Sequence, residues 1–235
     1  MNDLKPTSDQ RPVARHRGPS LLIVAIVYAI LTSAGVVAPM VIAGGQHFPS
    51  PFASNPSHWF VEHPYAALLS AFLCFGSAIP LGIYTATVSS RLRFLGMPVA
   101  GIDIALFGGA AASIILATSA CAQWVLAQPV VAGGSALPIL HLFSFATGGP
   151  GFAVPFGLLL AGVSVVGGVQ RLIPRWLMAA GLAIAVIAEL SVFTFVWTPM
   201  VISLPIARFG GLLWMIGAGA LLPQARAARS RSEES

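Results

Sequence analysis

The chain has 235 residues, of which 57% are hydrophobic and only 8% charged, and its mean hydropathy is +0.86. A soluble globular domain carries roughly a quarter charged residues, so this composition excludes that class and, for most of the chain, disorder; the natural solvent is a bilayer. The net charge of +5 does not mark a nucleic-acid surface: Lys5, Arg11, Arg15 and Arg17 lie at one end, Arg226, Arg229 and Arg231 at the other, and the rest are mostly paired between apolar segments, a topogenic distribution.

Residues 1–19 form a basic segment. Six apolar runs follow, at about 20–44, 65–89, 99–127, 138–168, 176–198 and 201–222, each near the 20 or so residues that a helix needs to cross the hydrocarbon core. The first run is too long for a signal-peptide core and has five spans after it, so it reads as an uncleaved first helix. The expected fold is therefore an all-α polytopic bundle of six transmembrane helices over 20–223, with a disordered polar tail at 224–235.

Loop charges alternate. The N-terminus is basic, 45–64 has no Lys or Arg, and 90–97 carries Arg91 and Arg93. The connection near 128–137 has none, the 171–175 turn carries Arg171 and Arg175, 198–202 has none, and the tail is basic again. The positive-inside rule then puts both termini in the cytoplasm. The long outer connection, 44–64, holds His47, His58, His63, Trp59 and Phe60, which suits a segment lying along the interface. Lys5 is the single lysine against many arginines, in a background rich in Ala, Gly and Pro. That bias points to a high-GC bacterial genome and an inner (plasma) membrane.

Span 4 opens HLFSFATGGPGFAVPFG (141–157), unusually rich in glycine and proline for a helix in lipid. Part of it echoes span 2. GSAIPLGIYTATVS (76–89) and GFAVPFGLLLAGVS (151–164) match at Gly76/Gly151, Ala78/Ala153, Pro80/Pro155, Gly82/Gly157, Ala86/Ala161, Val88/Val163 and Ser89/Ser164. The match suggests a parallel repeat of spans 2–3 and 4–5, against convergence on small residues for helix packing. Pro80, Pro150 and Pro155 are expected to kink their helices, because proline removes a backbone donor and clashes with the carbonyl four residues back.

Ionisable residues inside spans are costly and often functional; the candidates are Asp103, His141, Glu189 and Arg208. Asp103, near the cytoplasmic end of span 3, is expected to pair with Arg91 or Arg93. Glu189 lies about nine residues from the outer end of span 5, at a depth similar to Arg208 in span 6. The two are expected either to pair and fix helix register, or to leave Glu189 as a proton or cation relay facing a cavity. His141 stands close enough in depth to approach them. A metal or haem site from His47, His58, His63, Glu62 and His141 is imaginable, but no ligand spacing supports it, and no cofactor is expected.

Cys74 and Cys121 lie in apolar segments without disulfide or zinc spacing. The sequence has no Gly-x-Ser-x-Gly, HExxH, Walker or dinucleotide motif. Glycine pairs such as Gly108-Gly109, Gly167-Gly168 and Gly210-Gly211 read as helix-packing residues.

The passage GLLLAGVSVVGGVQRLIPRWLMAAGL (157–182), with Glu189 and the Trp-bearing RFGGLLWMIGAG (208–219), resembles bacterial six-span integral membrane proteins of a domain-of-unknown-function family. The resemblance spans roughly 65–222 and implies topology without chemistry. Three functions follow in order: a non-enzymatic accessory or regulatory membrane protein; a small transporter or channel using kinked spans 2 and 4 and Glu189; and an intramembrane enzyme or redox protein. The partners expected are the lipid bilayer and a membrane-protein partner or second copy, with no nucleic acid.

Overall fold

The computed structural model describes residues 16–50, 52, 56–96 and 99–225. The expectations for Lys5, Arg11 and Arg15, and for the tail from Arg226 onward, lie outside these residues. The fold is all-helical, with six helices long and apolar enough to cross a membrane. They are α1 (Leu21–Ile42), α3 (Pro64–Phe94), α4 (Ala100–Leu126), the composite fourth span Leu137–Val169, the fifth, Arg175–Phe195, and the sixth, Thr198–Leu221. A short α2 (Ser57–Glu62) and α5 (Pro129–Ala132) sit in the connections.

The fourth span is α6 (Leu137–Ala146), one wide π-type turn (Thr147–Gly151) and α7 (Phe152–Val169). The fifth is α8 (Arg175–Leu190) tightening into a 3-10 turn at Ser191–Phe195. The sixth is α9 (Ser203–Leu221), preceded by a 3-10 turn at Thr198–Ile202.

Each span packs chiefly against its neighbours in sequence, and α9 returns to α1, so the six form a closed ring. The short connections between α3 and α4, α7 and α8, and the fifth and sixth spans favour this antiparallel order. At one end, which we call the terminal end, the His16 amide donates to the Gln224 carbonyl (2.9 Å) and Arg91 donates to the Pro19 carbonyl. The opposite, loop end holds residues 44–50, α2, α5 and the 3-10 turns.

The ring interior differs along its length. Toward the terminal end it is filled by one apolar cluster that includes Leu21, Leu81, Val88, Ile102, Leu160, Val163, Leu177 and Met215. Small residues bring the backbones together there. A β-carbon added at Gly162 of α7 would stand 2.5 Å from the Gly101 carbonyl oxygen and 2.9 Å from the Ala105 nitrogen, both on α4. Lipid tails are as apolar as leucine, so this close van der Waals packing carries helix association in a membrane.

Gly82 and Gly157, paired in the internal echo, both lie against the span that follows. Gly82 faces Ser113 of α4, and Gly157 faces Ala185 and Ala188 of α8. Their shared service is close packing. α3 continues as one helix through Pro80 and α7 through Pro155. The departure from helical geometry is at Gly149 (φ −91°, ψ −108°), just before Pro150, where the echo has no counterpart.

Gly162→Val should lower the stability of the detergent-solubilised protein by about 1–3 kcal/mol, the usual cost of overpacking. Gly133→Ala, at a position with nothing within 4 Å, should leave it unchanged. Thermal unfolding of the two variants side by side checks this.

Candidate functional site

The loop half of the ring is hollow. Two adjoining cavities of about 310 and 300 Å³ share Val36, Phe48, Cys74, Leu116, Gln123 and Arg208 as walls. Their floor is the top of the apolar cluster, where Phe152 and Phe156 stack at 5.1 Å and Tyr28 meets Phe156 edge-on. Over their mouth lie residues 46–50: His47, Phe48 and Pro49 line the cavities, and Phe48 is held by the rings of Trp59, Phe60 and His141 at 4.9–5.8 Å.

The break in span 4 builds the central feature. A residue before proline is pushed out of the α region, and Gly149 leaves it. The Phe152 amide then donates to the Gly149 carbonyl instead of its α-helical acceptor, Gly148. The freed Gly148 carbonyl accepts from Nη2 of Arg208, whose guanidinium also lies over the Phe152 ring, 4.8 Å from its centroid. Such a break is tolerated in a span where protein or a water-lined cavity meets the freed groups. Span 4 suits it, with 61% of its most apolar stretch buried against 22% in span 1.

Around Arg208 the polar groups fall into two sets. Some bond to each other: Ser119 Oγ donates to the Ser144 carbonyl at 2.9 Å, and Ser70 Oγ bonds to the Gly35 carbonyl and to Gln123 Oε1 at 3.1 and 3.3 Å. Others have no hydrogen-bond partner among the described residues. These are Nδ1 of His141 (3% exposed) and the hydroxyls of Tyr28 (0%) and Thr32 (7%), which lie one turn apart on α1 and approach each other. His141 lines one of the two cavities and Tyr28 and Thr32 the other; buried polar atoms are nearly always paired, so these groups are open to a bound partner.

The sequence candidates separate. Arg208 and His141 line the same cavity. Glu189 does not join them: its Oε1 is buried without a partner beside Gly157 of α7, where the missing side chain leaves room for it. The expected Glu189–Arg208 pair does not form, because α8 turns Glu189 toward α7 whereas α9 turns Arg208 into the ring interior. Asp103 pairs with Arg93 at the terminal end, both side chains largely exposed at 71% and 50%. Arg91 is instead buried against the Pro19 carbonyl. The histidines do not gather: His58 pairs with Glu62 at 3.1 Å, and His63 lies against Trp59.

Single polar residues missed in the sequence complete the site: Tyr28, Thr32, Ser70, Gln123 and Ser144. A signal for them exists. Tyr28 and Thr32, and Ser119 and Gln123, are four residues apart, so each pair stripes one helix face. In comparisons with known proteins, no family model matches the chain, and no curated protein or solved structure matches it.

Asp103→Asn should change stability by less than about 1 kcal/mol, because an exposed ion pair contributes little in water. Thermal unfolding of the solubilised variant checks this, and a larger loss would mean that the pair sets the α3–α4 turn.

Proposed function

We propose that this integral membrane protein binds a small ligand in its loop-end cavity without transforming it chemically. It would serve as a carrier or as the ligand-reading accessory subunit of a membrane complex. The supporting observation is the contrast along the ring axis: a close-packed terminal half beneath a hollow, polar loop half that contains Arg208 and three unpartnered buried groups. Ligand sites are concave and mostly apolar, with a few convergent polar groups, and this cavity has that make-up.

Arg91, Arg93, Arg171 and Arg175 lie at the terminal end, and the loop-end connections between described spans lack Lys and Arg. By the positive-inside rule the cavity mouth faces outward and both termini face the cytoplasm. The arginine-rich composition favours a bacterial plasma membrane. A carrier would need the floor to open. The wide turn at Thr147–Gly151, a rearrangement often found at functional sites, is the element of span 4 best suited to change shape.

A Gln123→Cys variant made in a Cys74→Ala/Cys121→Ala background tests this. A membrane-impermeant thiol reagent applied to intact cells should label position 123, while Glu189→Cys in the same background should stay unlabelled. Labelling of position 123 only after permeabilisation would overturn the orientation, and no labelling under either condition would overturn the accessible cavity.

A further inference from the structure

The wall chemistry of the cavity restricts what it can hold. Among the described residues Arg208 is the one formally charged residue lining either cavity, and no Asp or Glu lines them. Its guanidinium carries five donors in a rigid fork, of which the structure uses one, on the Gly148 carbonyl. The Phe152 ring lies 4.8 Å from its central carbon, and the remaining donors are open to a bound group. A buried or half-buried guanidinium without a carboxylate is costly in a membrane unless an anion or water completes it.

The other groups agree in sign. One end of the Gln123 amide meets Ser70 Oγ at 3.3 Å, and Gln123 lines both cavities. The Tyr28 and Thr32 hydroxyls are unpartnered, and each brings a donor. Arg208 stands where the two cavities join. One of them is rich in hydroxyls, with Tyr28, Thr32, Ser70 and Ser77. The other sets the apolar side chains of Phe145, Phe152, Leu204 and Phe209 beside Ser119, His141 and Ser144.

We propose that the cavity binds a small amphipathic organic anion, with its carboxylate or phosphate held by Arg208 and its apolar body among the rings of Phe145, Phe152 and Phe209. Arginine meets such head groups with two parallel hydrogen bonds, and Gln123, Tyr28 and Thr32 supply donors to the remaining oxygens. This rests on the cavity being the binding site proposed above. The anion comes from solution or is the head group of an acidic lipid.

The test uses the full chain in nanodiscs of phosphatidylcholine and three probes of one shape: 3-phenylpropionate, 3-phenylpropanamide and 3-phenylpropylammonium. Calorimetric titration should show the carboxylate binding at least tenfold more tightly than the amide, with no binding of the ammonium. Arg208→Gln should bring carboxylate and amide to equal affinity. Tyr28→Phe, which removes only an unbonded hydroxyl, should weaken the carboxylate several-fold without changing the unfolding temperature. Glu189→Gln, outside the cavity, should change neither affinity.

Equal affinity for carboxylate and amide in the unmodified protein would overturn the anion site and leave a ligand cavity standing. Absence of binding by all three, with position 123 labelled by the impermeant reagent, would likewise overturn the inference alone. An unlabelled position 123 would remove the function beneath it. Loss of carboxylate binding when phosphatidylglycerol replaces phosphatidylcholine would support the anion site and assign it to a lipid head group; unchanged binding would assign it to a soluble anion.

Discussion

The bond from Arg208 to the Gly148 carbonyl is the contact on which the loop half of this protein depends. A guanidinium within a membrane span needs acceptors, and a carbonyl released from its helical donor has more capacity to accept than one already bonded within the helix. The wide turn of span 4 supplies one by moving the Phe152 amide onto Gly149. Glycine and proline there have a specific consequence: they convert a backbone carbonyl from a helix-internal partner into an anchor for a side chain on α9. Gly148 is also required sterically, because a β-carbon at that position would overlap Ser119 Oγ.

That anchor divides the bundle. Below it, glycine and alanine seams let α4 and α7 approach until backbone atoms touch, and Leu, Val and Ile fill what remains. Above it, the helix faces toward the axis carry Ser, Gln, Tyr, Thr and His, and the chain crosses back over the opening with Phe48 seated among Trp59, Phe60 and His141. A second apolar cluster with Trp59, Phe60, Leu126 and Leu137 packs the loop end itself, so the hollow lies between two packed layers. Three unpartnered buried groups and a single cation are poor packing and good recognition.

Much of the architecture is legible in the sequence, because hydropathy over about 20 residues is a local property and the bilayer fixes its length. All six spans, and the Asp103–Arg93 pair across a tight turn, follow from such local signals. Arg208 and His141 were marked by polarity alone, and they meet in one cavity. What the sequence hides is rotation. Glu189 and Arg208 share a depth, yet depth says nothing of which way a helix face turns, and α8 points its carboxyl at Gly157. Closure of the ring from α9 to α1 and the hollow it encloses depend on contacts far apart in the chain. The break before Pro150, rather than at Pro80 or Pro155, depends on Gly149 leaving the α region, for which the preceding glycine pair was a visible cue.

The central claim is that water reaches the ring interior from the loop end as far as Gln123, and does not reach Glu189. Spin-label relaxation in nanodiscs measures this directly, with one nitroxide at position 123 and another at position 189. A water-soluble nickel chelate should relax the label at 123 more strongly than oxygen does, with the order reversed at 189. Oxygen dominating at both positions would contradict the account, because the loop half would then be as dry as the terminal half.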